Sequence, residues 1–528
     1  MGPWKLAFVM LFRDKICAVV AAKDAAGALE QLQRALRFTR TAELRLDWLE
    51  DEREIDRFLD ELAERYAGGN RGRGGVESPT LIATCRRVEA GGKFRGSAAE
   101  QLLFLARALR SGCSWYDLDV ETAAVTPREL LDVLIGEGRR LVSAHYFKRA
   151  PANLRGVVRK LGAYRGDAVK VAVQCDTIGA SVKVLDLARG RGGMVAVPMG
   201  EAALPARVLA IAHGSELEYA PVEQDTAPGQ VNLEALVKLY RAGSLTRRTR
   251  VYGVIGDPIG HSLSPRLHNA GFRAAGVDAV FLPFLVRDLK DFLGAVRALG
   301  VRGFAITLPH KQTILRFLDT CDPIARAIGA VNTVTVSASG KLHGQNTDYV
   351  GVLRALEKRV ALRGSRVLIV GAGGAARAVA YALAQAGASV CITARRPEQA
   401  VALARECGGT AVARADVRRE FFDATVNATP VGMHPHEDES PLAADELNTR
   451  LVFDTIYRPL VTKLMQLAQR RGIDTVSGLD MFVAQGVAQW EIWTGRRAPV
   501  APMIREVRGA LGESSPRTKR GTVATKRK

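Results

Sequence analysis

Residues Arg366–Val370 form a short apolar run that leads into Gly371-Ala372-Gly373-Gly374-Ala375-Ala376, and Ala376–Ala386 then has helical composition. A strand, a glycine turn and a helix in that order leave few folds open. Glycines allow the tight turn and the close approach of a pyrophosphate, while the helix start offers free N–H groups and positive potential. The spacing G-x-G-x-x-A predicts a dinucleotide site built from Gly371, Gly373, Gly374, Ala375 and Ala376. The competing reading is a glycine-rich structural turn. The next strand, Ser389–Thr393, ends in Ala394-Arg395-Arg396. An acid there would hold a ribose 2′-hydroxyl, whereas Arg395 and Arg396 suit a 2′-phosphate bound bidentately, so NADP is expected over NAD.

Upstream, a strand at Val251–Ile255 is followed by Gly256-Asp257-Pro258-Ile259-Gly260-His261-Ser262-Leu263-Ser264-Pro265. Ser264 suits an N-cap and Pro265 a first helical residue, so a helix Pro265–Ala275 is expected. With Ser262, its start would make a carboxylate cradle, capping alone being the alternative. The strand Phe304–Leu308 ends in Pro309-His310-Lys311, and Asn346-Thr347-Asp348 follows later. A ketone under reduction needs a proton donor, which a Lys311–Asp348 pair supplies; a surface lysine is the rival reading.

At 528 residues the chain is too long for one core, and its first half has a rhythm of its own. Strand-like runs at Lys15–Ala21, Ala42–Asp47, Thr80–Arg86, Trp115–Glu121, Arg139–His145, Ala168–Gln174, Met194–Met199 and Leu217–Val222 alternate with helix-compatible stretches. Eight such units predict a (β/α)8 barrel, with an open α/β sheet as the alternative. Lys170 lies mid-strand, and facing inward among apolar neighbours it would be desolvated enough to free an amine that attacks a carbonyl. His145 ends the preceding strand and is placed to act as its base. A snorkelling lysine and a structural histidine are the bland readings.

The net charge of +20 raises nucleic acid as a partner, but six basic residues sit in a tail from Ser514 that contains no acid, and no nucleic-acid-binding motif appears elsewhere. Seven cysteines without a CxxC pair suggest reduced thiols, a cytoplasmic setting and no metal site. No apolar run reaches the roughly 18 residues of a membrane span. Leu6–Phe12 is apolar but is cut off by Arg13, Asp14 and Lys15, and reads as an extension before the first strand rather than a secretory signal.

The segments GDPIGHSLSP, ITLPHK, GAVNT, NTD, GAGGAARA, NATPVGM, DTIYRPLVT and GLDMFVAQ occur in the order found in shikimate dehydrogenases, which the second half closely resembles. The resemblance implies that Ser262 and Ser264 bind the substrate carboxylate, with Thr307, Asn332, Asp348 and Gln485 on ring hydroxyls and Tyr457 nearby. Lys311 and Asp348 would be the catalytic pair, and Gly478 would join the cofactor site. It also implies an α/β substrate domain (250–348, completed by helices in 479–510) and a Rossmann domain (350–478); the basic tail (512–528), which has no apolar period, is expected to be disordered. Ala394-Arg395-Arg396 departs from the usual Asn-Arg-Thr.

Residues 15–238 resemble type I 3-dehydroquinate dehydratases, (β/α)8 barrels that need no cofactor. ELRLD at 43–47, TCR at 84–86, SAH at 143–145, VKV at 169–171 and TAPGQ at 226–230 carry the likeness. It implies Lys170 as the imine-forming residue, His145 as base, and Glu43, Arg45, Arg86, Arg207, Thr226 and Gln230 as substrate ligands. A glutamate that family members use to position the histidine is replaced by Ala90, with Glu89 one place early, so the resemblance implies a His145 that is either less well tuned or held by Glu89 through a shifted loop. Together the resemblances imply a bifunctional enzyme that converts 3-dehydroquinate to 3-dehydroshikimate and then reduces it to shikimate with NADPH, with neither nucleic acid nor membrane as partner. The alternatives are a dehydrogenase with an impaired barrel, or a non-catalytic metabolite sensor.

Overall fold

The structure is a computed structural model that describes residues 11, 12, 14–67, 78–133, 138–223, 229–357 and 359–512. Two compact units are present: residues 1–251 with 282–301, and residues 252–281 with 302–528.

The first unit contains eight parallel strands: β1 (Ile16–Val20), β2 (Thr41–Arg45), β3 (Thr80–Thr84), β4 (Trp115–Asp119), β5 (Arg139–Tyr146), β6 (Ala168–Gln174), β7 (Met194–Met199) and β8 (Glu218–Pro221). Their order, β7-β6-β5-β4-β3-β2-β1-β8, is that of a barrel. No ladder joins β7 to β8, but Glu216 N–H donates to Met194 O at 2.9 Å, so the barrel is nearly closed. Side chains alternate along each strand. Ala168 and Ala172 of β6 belong to an interior cluster with Cys17, Val19, Val195 and Tyr219, while Val169, Val171 and Val173 pack outward beneath the helices. Lys170 therefore shares the inward face.

Of the apolar extension, residues 6–10 lie outside the described residues. Phe12 is fully buried and stacks on Trp115 with ring centroids 4.4 Å apart. The β4 strand is shorter than expected: Asp119 accepts from Thr122 N–H and caps a helix, Val120–Val125.

The second half builds two sheets. The first joins β9 (Arg250–Gly256), β10 (Ala279–Leu285), β11 (Val301–Ile306), β12 (Thr320–Cys321), β13 (Thr333–Val336) and β14 (Leu342–Gln345) in the order β10-β9-β11-β13-β14-β12. It is mixed, because β13 runs antiparallel to both β11 and β14. The second has β15 (Arg366–Val370), β16 (Ser389–Thr393), β17 (Thr410–Ala411), β18 (Phe422–Asn427), β19 (Thr449–Asp454) and β20 (Asp474–Val476) in the order β17-β16-β15-β18-β19-β20. Its strand pairings are all parallel, and apolar clusters cover both faces, Val367 and Ile369 on one side and Leu368 and Val370 on the other. Strand order reverses beside β15, and that crevice is where dinucleotides bind in such sheets.

Among the described residues no helix is long and apolar enough to cross a membrane, and no group of three or more His, Cys, Asp or Glu is arranged to hold a metal. All seven cysteines are free. The basic tail expected from position 512 lies outside the described residues from 513 onward.

Candidate active sites

Inside the barrel, Lys170 is buried with its Nζ 2.5 Å from Asp117 Oδ2 and 3.3 Å from Glu43 Oε1. The same Nζ lies 4.4 Å from the centre of the Tyr219 ring. The expectation of apolar neighbours is thus corrected: carboxylates projecting from β2 and β4 surround the amine. Asp117 also accepts from Arg86 Nη2 at 3.0 Å and Ser143 Oγ at 2.5 Å. Burial alone would raise its pKa, but Lys170, Arg86 and His145 overcome that and hold the carboxyl well below the ordinary range. Asp117 is a site residue that the motif comparison missed. The available signal was its position on the same face as Trp115, two strands over from the lysine.

Glu43 also accepts from Thr84 Oγ1 at 3.0 Å, and Arg45 is clamped to Asp47 by two bonds of 2.9 and 2.8 Å. The cluster therefore matches Lys170, Arg45 and Arg86 against Glu43, Asp47 and Asp117. Glu43, Arg45, Arg86, His145 and Lys170 all lie on strands β2, β3, β5 and β6 or the residues just after them. Arg207, in the helix Leu204–Leu209, instead pairs with Glu218 at 2.6 Å and donates to Tyr219 O at 2.7 Å, leaving Nη1 buried without a partner. Burial raises the Glu218 pKa to about 7 despite Arg207. Gln230 follows β8, and Thr226 lies outside the described residues.

Glu89 does not hold His145. Its carboxylate is 2.9 Å from Arg87 and is 54% exposed, so the shifted-loop expectation is overturned. His145 Nδ1 is sealed from solvent without a hydrogen-bond partner. Desolvation, followed by the Arg86 and Lys170 cations, pushes the imidazole pKa well below its usual value.

In the second half, Lys311 Nζ lies 2.6 Å from Asp348 Oδ2. Asn332 Nδ2 donates to the other oxygen at 2.7 Å, and Asn332 Oδ1 accepts from Thr347 N–H at 2.7 Å. Gln489 Nε2 donates to Asn332 O at 3.3 Å; this buried contact was not anticipated from the motifs. Thr307 stands at the end of β11 against Gly256, where even a Cβ would come 2.5 Å from the threonine methyl. Only glycine permits that approach.

The helix after Ser262 runs Ser264–Ala274 with Leu263 at its N-cap, so Ser264 is the first helical residue and not the expected cap. Ser264 N–H donates to Ser262 Oγ at 3.3 Å. Tyr457 is packed on Phe482 at 4.4 Å between ring centres, and burial raises its pKa against the influence of the Leu263 backbone, which places it beside the serine loop. Gln485 lies on the helix Gly478–Thr494 and donates to Phe482 O at 2.8 Å.

The glycine turn follows β15. Gly371 has φ 118° and a Cβ there would meet Thr429 at 2.9 Å. Gly373 has open space, and the helix begins at Gly374, where a Cβ would touch only Lys311, at 3.5 Å. This cradle fits a pyrophosphate at the N-terminus of the helix Gly374–Gln385, which includes Ala375 and Ala376. Arg395 and Arg396 are exposed beyond β16. Gly478 packs so tightly on Thr455 that a Cβ would be 2.3 Å from its carbonyl oxygen. Nearby, Asp454 accepts from Asn427 Nδ2 at 3.0 Å and Thr462 Oγ1 at 2.6 Å, yet burial raises its pKa to about 6.

Family models match along most of the chain: type I 3-dehydroquinase over residues 16–246, shikimate dehydrogenase substrate binding domain over 254–334, shikimate/quinate 5-dehydrogenase over 354–428, and shikimate 5′-dehydrogenase C-terminal domain over 478–508. The bifunctional 3-dehydroquinate dehydratase/shikimate dehydrogenase, chloroplastic, of Arabidopsis thaliana is 32% identical over 481 residues, covering 87% of this chain and 78% of that protein. The shikimate dehydrogenase (NADP(+)) of Moorella thermoacetica is 45% identical over 282 residues, 51% of this chain and 95% of that one. A solved shikimate 5-dehydrogenase from Thermus thermophilus, in complex with NADP(H) and shikimate, is 37% identical with a TM-score of 0.46, covering 49% of this chain and 99% of that one.

Proposed function

The chain belongs to the bifunctional 3-dehydroquinate dehydratase/shikimate dehydrogenase family, and we propose that its two halves catalyse consecutive steps through the residues described above. It is a lyase and an NADP-dependent oxidoreductase. In this reading residues 15–238 are the dehydratase, 250–348 with 479–510 bind the dehydrogenase substrate, and 350–478 bind NADP. The enzyme acts in the cytoplasm on small molecules, without nucleic acid or membrane partners.

In the barrel, Lys170 adds its amine to the ketone of 3-dehydroquinate, and water leaves as the imine forms. The ammonium proton must leave first, and Glu43 Oε1, 3.3 Å away, is within reach to take it. His145 takes a proton from the neighbouring carbon and returns it to the departing hydroxyl. A second water hydrolyses the imine, giving 3-dehydroshikimate, free lysine and one net water. Arg45, Arg86, Arg207, Thr226 and Gln230 hold the substrate.

In the second half NADPH supplies the hydride. Ser262 and Ser264 hold the substrate carboxylate; Thr307, Asn332, Tyr457 and Gln485 orient the ring hydroxyls. Lys311 donates a proton to the carbonyl oxygen, and Asp348 stabilises the ammonium beforehand. Arg395 and Arg396 bind the 2′-phosphate.

The burial of Lys170 between two carboxylates carries the bifunctional reading. 3-Dehydroquinate and NADPH incubated with the protein should yield shikimate, while Lys170→Ala should stop at the first step and Lys311→Ala at the second. Absence of shikimate with the wild type rejects the reading. The rival, a live dehydrogenase beside an impaired barrel, draws on Ala90 and the turning of Glu89 to Arg87. Borohydride with 3-dehydroquinate separates the two, since only a working lysine acquires the mass adduct.

A further inference from the structure

His145 lacks the polar tether that orients most catalytic imidazoles. Its Nδ1 is buried and unpartnered, Ala90 offers no side-chain acceptor, and Glu89 is committed to Arg87. Something else must fix the ring plane. Phe147, two residues on, lies nearly parallel to it, with centroids 5.9 Å apart and planes 15° apart. Phe147 is itself seated by the turn after β3. Gly91 has φ 81°, and a Cβ there would fall 2.2 Å from Phe147 Cε2 and 3.0 Å from Cδ2 and Cζ. The ring edge thus occupies space that any other residue at 91 would fill.

We infer that Phe147 is a positioning residue for the dehydratase reaction: seated on Gly91, it sets the orientation of His145 by offset stacking where a hydrogen-bond partner is missing. This rests on the reading of His145 as the base. Stacking fixes the ring plane but adds no negative charge, so it orients the imidazole while leaving it neutral and able to accept a proton. A carboxylate partner would orient the ring and raise its pKa together. Here the two effects are separated.

The test uses the full chain, in which dehydrogenase activity reports folding independently. Phe147→Leu, which keeps an apolar side chain but removes the ring, should lower the dehydratase kcat at least tenfold, with KM for 3-dehydroquinate within twofold. Phe147→Tyr, which restores the ring, should stay within twofold of wild type. Gly91→Ala, which displaces the Phe147 edge, should reproduce the kcat loss. In a His145→Ala background, Phe147→Leu should have no further effect on kcat. A kcat within twofold for Phe147→Leu, or the same loss in the His145→Ala background, overturns the inference. Histidine-selective NMR gives a readout that does not depend on turnover: Phe147→Leu should shift and broaden the His145 ring signals, and unchanged signals overturn the positioning role even if the protein shows no dehydratase activity. Lack of turnover with a shifted His145 signal would reject only the assignment of His145 as base.

Discussion

Asn332 grips Asp348 by the oxygen that Lys311 leaves open, its Nδ2 on Oδ1 at 2.7 Å while the lysine holds Oδ2 at 2.6 Å. One carboxylate oxygen is therefore held from the residue just before β13 and the other from the loop after β11. Asn332→Ala should lower the NADPH-dependent kcat about tenfold or more through loss of that orientation. It should also lower the midpoint of thermal unfolding, because the buried Thr347 N–H loses its acceptor. NADPH oxidation kinetics and calorimetry on the same sample check both.

Lys311 and Asp348 should act as one unit. Each alanine substitution is expected to lower kcat by roughly 10²–10⁴, the range for a positioned general acid or base, and the double variant should be no worse than the single ones. Multiplying losses in steady-state kinetics would show two independent roles.

On the proposed reading, Arg395→Ala removes a charge-assisted contact to the 2′-phosphate worth about 1.5–3 kcal/mol. The KM for NADPH should rise by about ten- to a hundredfold, with little change in the KM for NADH. Equal effects on the two cofactors would mean that the arginine serves the adenine or the turn instead.

His268 is a buried histidine stacked on Phe281 at 4.2 Å, and burial lowers its pKa from 6.5 to about 3. The unfolded chain therefore binds the proton first. Stability from this group is complete above pH 6.5 and is lost progressively as the pH falls toward the folded value. Between pH 7 and pH 5 the wild type should lose about 2 kcal/mol more than His268→Phe, taken from urea unfolding at the two pH values.

Much of this was legible in the chain because period-two alternation and turn chemistry are local. The eight barrel strands fall within a few residues of the predicted runs, and β6 and β7 match end for end. The exception is instructive. Val120 continues the apolar pattern of β4, yet Asp119 turns its side chain onto Thr122 N–H and starts a helix. The candidate sites divide along the same line. Lys170 was visible as an odd charge in a buried strand, but Asp117 was not, since it stands two strands away and only the curl of the sheet brings its Oδ2 within 2.5 Å of that amine. Ser264 was misplaced by one position because Leu263 already has helical backbone angles, which no local capping rule reveals. Phe147 was overlooked for a similar reason: its neighbour Gly91 comes from a turn more than fifty residues earlier.

The space above Gly374 has a different kind of significance. Its absent side chain leaves a gap shared by the pyrophosphate cradle and the aliphatic stem of Lys311. A bulky residue there would present in an assay as poor cofactor affinity, but it would also lever the lysine away from Asp348. Restoring saturation with excess NADPH would then fail to restore turnover. The position is a single tolerance through which two otherwise separate functions must mutate together.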